Sequence, residues 1–168
     1  KMYSKFGQFI DGKWQHSSNK ETYDVINPAT EEVIGKVSKA SSVDVDKTLK
    51  SAQKGFSVWK KFSPWNRAVI IRKIADLMRK KDNQLAKWMT LETGKPLKES
   101  LAEVSGSADI FEWNSEETKR IYGQTVQSRF EDTRVIINYE PVGVVVALSP
   151  WNFPLILAAR KISTALAA

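Results

Sequence analysis

Val144-Val145-Val146-Ala147-Leu148-Ser149-Pro150-Trp151-Asn152-Phe153-Pro154 is the stretch on which the fold reading turns. Its first five residues are apolar without interruption, which suits a strand buried on both faces of a parallel sheet. Ser149-Pro150 ends that strand, because proline has no N–H to give a central ladder. Pro154 suits the first turn of a helix, where a missing N–H costs nothing. Ile156, Ala159, Ile162 and Leu166 then follow at helical spacing. The predicted order is strand, short loop, helix. In open α/β sheets, ligands bind outside the carboxyl ends of strands. The loop from Pro150 to Phe153 would stand at such an end, offering a flat aromatic ring in Trp151 and a neutral amide donor in Asn152.

Working outward, the chain alternates turn signals with periodic apolar stretches. Phe9-Ile10-Asp11-Gly12-Lys13-Trp14 predicts a hairpin around Asp-Gly, the favoured type I′ turn pair. His16, the only histidine, falls in a polar loop, so no histidine cluster for a metal can form. Tyr23 to Ile26 is a short strand ended by Asn27-Pro28, and Val33, Ile34 and Val37 resume one. The Glu31-Glu32 pair between them reads as a solvated turn, since nothing nearby buries it as acid/base tuning requires. Ser41-Ser42 before Asp44 and Asp46 is a helix start with a capping hydroxyl and acids on the positive end of the dipole. Val45, Leu49, Ala52, Phe56 and Trp59 line its apolar face. Ser63-Pro64 opens the next helix, with Ile70, Ile74, Leu77 and Met78 as its stripe. Leu85, Trp88 and Met89 continue after a break near Asp82-Asn83. Gly94 and Pro96 close one helix at C′ and open another at N1. Leu101, Val104, Ala108, Phe111 and Thr118 mark that long helix, stopped by Gly123, and Arg134 to Tyr139 reads as a strand.

Ser149-Pro150-Trp151-Asn152-Phe153-Pro154-Leu155 resembles the Pro-Trp-Asn-Phe-Pro signature of the NAD(P)-dependent aldehyde dehydrogenase superfamily. Asn27-Pro28-Ala29-Thr30-Glu31-Glu32 is similar to its Asn-Pro-Ala-Thr-Gly-Glu segment, with Glu31 where glycine is usual. Glu92-Thr93-Gly94-Lys95-Pro96 resembles another of its segments. Phe111 to Gly123, closing on Lys119-Arg120-Ile121-Tyr122-Gly123, is nearest to the succinate-semialdehyde dehydrogenase branch.

The resemblance implies an α/β fold: the N-terminal part of a Rossmann-like cofactor domain, a parallel sheet with helices, and a small protruding β-hairpin. Residues 1–123 would begin the cofactor-binding domain. Residues 124–142 would be a hairpin bridging to a neighbouring subunit in a homodimer or homotetramer. Residues 143–168 would carry the strand, the Asn loop and a truncated helix. In the family, the asparagine side-chain N–H holds the oxyanion formed when a cysteine attacks the aldehyde, so Asn152 is the catalytic candidate. Ser149, Pro150, Trp151 and Asn152 would border NAD or NADP. Arg160 would grip a substrate carboxylate, as a guanidinium can with two parallel hydrogen bonds. Two helical turns are about 7.2 residues, which would put Arg160 on nearly the same side as Asn152. The implied reaction is oxidation of a small anionic aldehyde to a carboxylic acid.

The sequence holds no cysteine, and the family's nucleophile and its glutamate base are expected downstream, so these residues would not be active alone. The chain stops inside the helix that begins at Pro154, and is expected to be either a fragment or one part of a longer protein. Its 168 residues and 42% apolar content bound it to one folded domain of ordinary size. No run of about 18 apolar residues exists, and the first six residues hold no apolar secretory segment. A cytoplasmic location is the expectation, without membrane or metal.

Net charge is +7, with Lys60, Lys61, Arg67, Arg72, Lys73, Arg79, Lys80 and Lys81 close together. A nucleic-acid face would look like this, as would the solvated side of two amphipathic helices. The second is the reading taken, because no recognition motif or zinc spacing accompanies the charges. A non-catalytic fragment that only binds a partner is the remaining alternative. No Gly-x-Gly-x-x-Gly phosphate loop occurs, so the cofactor expectation rests on the resemblance.

Overall fold

The computed structural model describes residues 7–168, and the reading of residues 1–6 lies outside them. Asp11 and Gly12 take φ of 52° and 75°, the positive pair a type I′ turn requires. Strands β1 (Gln8–Ile10) and β2 (Lys13–Gln15) pair antiparallel across it, Phe9 opposite Trp14. The second ribbon, β3 (Thr22–Ile26) with β4 (Val33–Ser38), is also antiparallel. Asn27 shapes its turn: the side-chain oxygen accepts from the Ala29 N–H at 3.0 Å and the carbonyl from the Glu31 N–H at 2.8 Å.

Helix α1 (Ser42–Trp59) opens on a reciprocal cap between Ser41 and Asp44. The Asp44 carboxylate also accepts the Ser18 N–H at 3.1 Å, tying the loop before β3 to the helix. In α2 (Pro64–Lys80), the Ser63 hydroxyl accepts from the Asn66 N–H at 3.3 Å. The break at Lys81 separates α2 from α3 (Asp82–Thr93), which ends on Gly94 in the left-handed conformation. Pro96 is the N-cap of α4 (Leu97–Glu117) rather than its first helical residue. The helix tightens into one 3-10 turn at Thr118–Arg120, so it stops before Gly123. Strands β5 (Gln124–Gln127) and β6 (Arg134–Ile137) form the hairpin, and α5 (Pro154–Ala167) closes the chain.

Helix α4 is the hub. It packs on α2, α3 and α5, and the core joins Ile71, Ala75 and Met78 to Ala108, Phe111, Ala159 and Ala167. A second cluster sets Ala86 and Met89 against Val104. Four small hydroxyl residues are buried: Ser100, Ser107 and Ser115 on α4 and Ser163 on α5. Ser100 pairs with Thr90 of α3 at 2.9 Å, the other three hydroxyls return to carbonyls of their own helices, and Asn114 Nδ2 on α4 donates to Ser163 Oγ at 2.9 Å. This lets the two helices lie close, and a Cβ on Gly106 would sit 3.3 Å from Ile156 Cδ1.

Three further expectations are corrected. Val144 to Leu148 forms no strand, and among the described residues every sheet is a two-stranded antiparallel ribbon. A parallel strand takes its ladder from neighbours, and no strand among the described residues pairs with this run; Val146 and Leu148 are 72% and 77% exposed. The buried stripe of α2 is Ala68, Ile71, Ala75 and Met78, while Ile70 and Leu77 face outward. On α5 the buried positions are Ala159, Ser163 and Ala167, and Ile162 is exposed. On α5 the buried positions are all small, whereas α2 buries Ile71 and Met78 together with its two alanines.

Candidate active-site loop

Helix α5 begins with a shortage of partners. Its N-cap is Phe153, which carries no side-chain acceptor, and Pro154 at the first position has no N–H. The next free donors, the N–H groups of Leu155 and Ile156, are taken by a side chain from another helix. Glu103 Oε1 accepts them at 3.0 and 3.2 Å. A carboxylate there also faces the positive end of the α5 dipole.

The Glu103 side chain is only 1% exposed. A buried carboxylate without a partner is strongly destabilising, and Lys95 supplies the partner. Its ammonium contacts Glu103 Oε2, donates to the Asn152 carbonyl oxygen at 3.0 Å and lies 4.4 Å from the centre of the Phe153 ring. Lys95 reaches this point because Gly94, at φ 74°, turns the chain sharply between α3 and α4. Two neighbouring residues of the loop, Asn152 and Phe153, are therefore held by one partly buried cation.

The side chains named from the sequence sit on this loop or just after it. Trp151 is 85% exposed and Asn152 is exposed. Among the described residues the Asn152 side-chain amide has no hydrogen-bond partner, so it is presented outward while its backbone is held. Ser149 and Pro150 are exposed beside it, with Ser149 Oγ 3.5 Å from the Pro154 carbonyl. Arg160 is exposed on α5 and has no carboxylate partner among the described residues. Asn152 lies outside the helix, which begins at Pro154, so helical periodicity does not relate it to Arg160.

An apolar groove of about 490 Å³ lies elsewhere, between α1, the irregular run 141–147 and α5, lined by Phe56, Trp59, Val142, Val145, Ile162 and Leu166. Arg67 borders it and donates to the carbonyls of Phe62 and Ala167 at 3.1 and 3.3 Å; burial pushes its pKa down. Residues 149–153 do not line this groove. The basic face of α2 is partly consumed by ion pairs to α4: Arg72 meets Glu112 at 2.7 Å, and Arg79 meets Asp109 at 2.8 Å and Glu112.

Sequence reasoning places Lys95 in a turn and does not single out Glu103. The available signal is a carboxylate at position 103 within the 3–4 spacing Ser100, Glu103, Ser107, Phe111, Ser115, whose other members are small or apolar.

Comparison with known proteins supplies the family. The model of the aldehyde dehydrogenase family matches residues 14–168. The chain belongs to the aldehyde dehydrogenase family. It is 40% identical to glutarate-semialdehyde dehydrogenase of Pseudomonas aeruginosa over 160 residues, which are 95% of this chain and 33% of that protein. It is 40% identical to the NADP(+) succinate-semialdehyde dehydrogenase of Escherichia coli over 159 residues, again 95% and 33%. A crystal structure of a betaine aldehyde dehydrogenase point mutant from Staphylococcus aureus, in complex with NAD+, superposes with a TM-score of 0.92 at 37% identity, covering 97% of this chain and 34% of that one. The aldehyde dehydrogenase chain thus spans about a third of the length of the curated relatives it matches.

Proposed function

We propose that the polypeptide carrying these residues is an NAD(P)-dependent dehydrogenase that oxidises a small anionic semialdehyde, such as succinate or glutarate semialdehyde, to its carboxylic acid. The observation that carries this reading is the state of Asn152. Its backbone carbonyl is held by Lys95 while its side-chain amide stays unpartnered among the described residues. Addition of a nucleophile to an aldehyde puts negative charge on the oxygen, and a fixed neutral N–H stabilises that charge without being titrated. The nucleophile in this reading is the family's cysteine, and a glutamate activates the water that releases the acid. These 168 residues hold no cysteine, and in this reading the glutamate also lies outside them, so they would not turn over alone.

The nicotinamide of NAD or NADP supplies the hydride acceptor when bound. The open Trp151 ring and the backbone at Ser149 and Pro150 fit its edge, since a flat apolar surface suits a planar ring. In this reading Arg160, exposed and free of carboxylates among the described residues, pairs with the substrate's acid group. The β5–β6 hairpin would bridge subunits of a homodimer or homotetramer through exposed Val126, Val135 and Ile136.

The test is turnover of succinate and glutarate semialdehydes with each cofactor, followed by reduced nicotinamide absorbance, in the natural polypeptide. Asn152→Ala is expected to lower kcat roughly 10²- to 10³-fold with cofactor affinity retained. Arg160→Gln should raise KM for the semialdehydes and leave KM for a neutral aldehyde of equal length unchanged. Absence of turnover with either cofactor, or an unchanged kcat in Asn152→Ala, would defeat the reading.

A further inference from the structure

We propose that Lys95 and Glu103 form a positioning clamp that fixes the reactive geometry of Asn152. This rests on the dehydrogenase reading for its catalytic consequence, but the clamp itself stands on geometry. Four attachments converge on the short segment from Asn152 to Ile156. Glu103 Oε1 takes the N–H groups of Leu155 and Ile156, and Lys95 takes the Asn152 carbonyl and covers the Phe153 ring. The two side chains are joined to each other through Glu103 Oε2.

The arrangement is costly unless it positions something. Helix α5 could have been capped locally by a serine, threonine or aspartate at position 153, at no burial of charge. Instead a glutamate side chain with 1% exposure and a lysine side chain with 11% exposure are largely withdrawn from water. What the ion pair adds over a local cap is a bond to residue 152 itself. A local cap would fix the helix start; only the Lys95 bond fixes the peptide unit that follows the Asn152 side chain. The loop otherwise has little to order it, since Trp151 is 85% exposed and the preceding run pairs with no strand among the described residues. An oxyanion donor must be in place before charge develops, and a shift of about 1 Å can cost on the order of 100-fold in rate.

The clamp is tested in the natural full-length polypeptide with Lys95→Met, Lys95→Arg and the neutral pair Lys95→Met/Glu103→Gln. The pair is included because Lys95→Met alone strands the Glu103 charge, whereas glutamine at that position keeps an oxygen for the α5 N–H groups. Two readouts are taken. Hydrogen exchange of the 149–158 peptide should accelerate in Lys95→Met and in the pair, with the α2 peptides unchanged. In turnover, kcat should fall roughly 10- to 100-fold while aldehyde KM and cofactor Kd hold, and Lys95→Arg should recover most of the loss.

Placed in an Asn152→Ala background, the same substitutions should cost little more, because Lys95 acts through Asn152. A merely structural role would give losses that multiply in that background, and that result overturns the proposal. Unchanged exchange across 149–158 overturns it as well, whatever the turnover. Should the wild type oxidise no aldehyde, the dehydrogenase reading fails, and exchange alone decides the clamp: faster exchange upholds it and unchanged exchange overturns it.

Discussion

Gly94→Ala is expected to destabilise the protein by more than backbone strain alone, and Gly12→Ala provides the internal control. Both glycines sit at nearly the same positive φ, 74° and 75°. An alanine in the left-handed region costs about 1–2 kcal/mol relative to the right-handed one, and this applies equally to both. Their surroundings differ. A Cβ on Gly12 would meet nothing within 4 Å, whereas a Cβ on Gly94 would lie 2.9 Å from Pro28 Cγ. That distance is well inside contact, and the proline ring is held in the Asn27 turn. Forcing extra volume into a packed core costs about 1–3 kcal/mol, and Gly94 and Pro28 are both exposed, which lowers the cost. Gly94→Ala should therefore exceed Gly12→Ala by about 1 kcal/mol, the low end of that range. The assay is urea unfolding followed by tryptophan fluorescence, comparing midpoints at equal slope. Equal losses in the two variants would refute the argument, because they would show that the Pro28 contact relaxes freely. A second consequence separates stability from function: Gly94 aims Lys95 at the Asn152 carbonyl, so the same variant should loosen the 149–158 segment, and Gly12→Ala should not.

Two further outcomes follow from local chemistry. Hydrogen bonds from the Ser41 backbone, then from Ser18 and the serine hydroxyls, hold the Asp44 carboxyl down at about 2 from an ordinary 3.8. A carboxyl whose folded value is depressed contributes stability above its unfolded value, and loses it as pH falls through the folded one. Acid unfolding should thus show a component between about pH 4 and pH 2 that Asp44→Asn abolishes; an identical profile for the variant would refute it. Glu31 sits at φ 60°, in the αL region. Glu31→Gly relieves about 1–2 kcal/mol of strain against roughly 0.5–1 kcal/mol of glycine entropy. A small net gain in urea midpoint is expected, and a loss would refute this.

What the sequence disclosed, and what it hid, divides by how far the cause lies from the residue. The Asp11-Gly12 turn, the Ser41 and Ser63 caps and the Gly94 stop were legible because each is decided by the few residues around it. The strand at Val144 to Leu148 was not, because β structure is completed by partners, and apolar composition says nothing about whether they are at hand. The stripes on α2 and α5 were legible only in part, through Ile74, Met78, Ala159 and Leu166, for a related reason. Periodicity locates a face, but which of two adjoining faces is covered depends on the neighbour: α4 covers Ile71, Ala75, Met78, Ala159 and Ser163 and leaves Ile70, Leu77 and Ile162 exposed.

The candidate site shows the same division in sharper form. Asn152 could be singled out because its motif is contiguous, from Ser149 to Leu155 read in order. Lys95 and Glu103 stand 57 and 52 residues from the groups they hold, and each looks ordinary alone: a lysine in a Gly-Pro turn, a glutamate on a long helix. The clue lay in their company. On an amphipathic helix a glutamate belongs on the wet face, and Glu103 falls among Ser100, Ser107 and Phe111, all buried. A charge on a dry face needs a counter-charge and donors, and finding both at one loop is what turns a packing irregularity into an argument about position. The same test applies to any carboxylate that interrupts a seam of small residues: its partners mark the segment that the fold holds still.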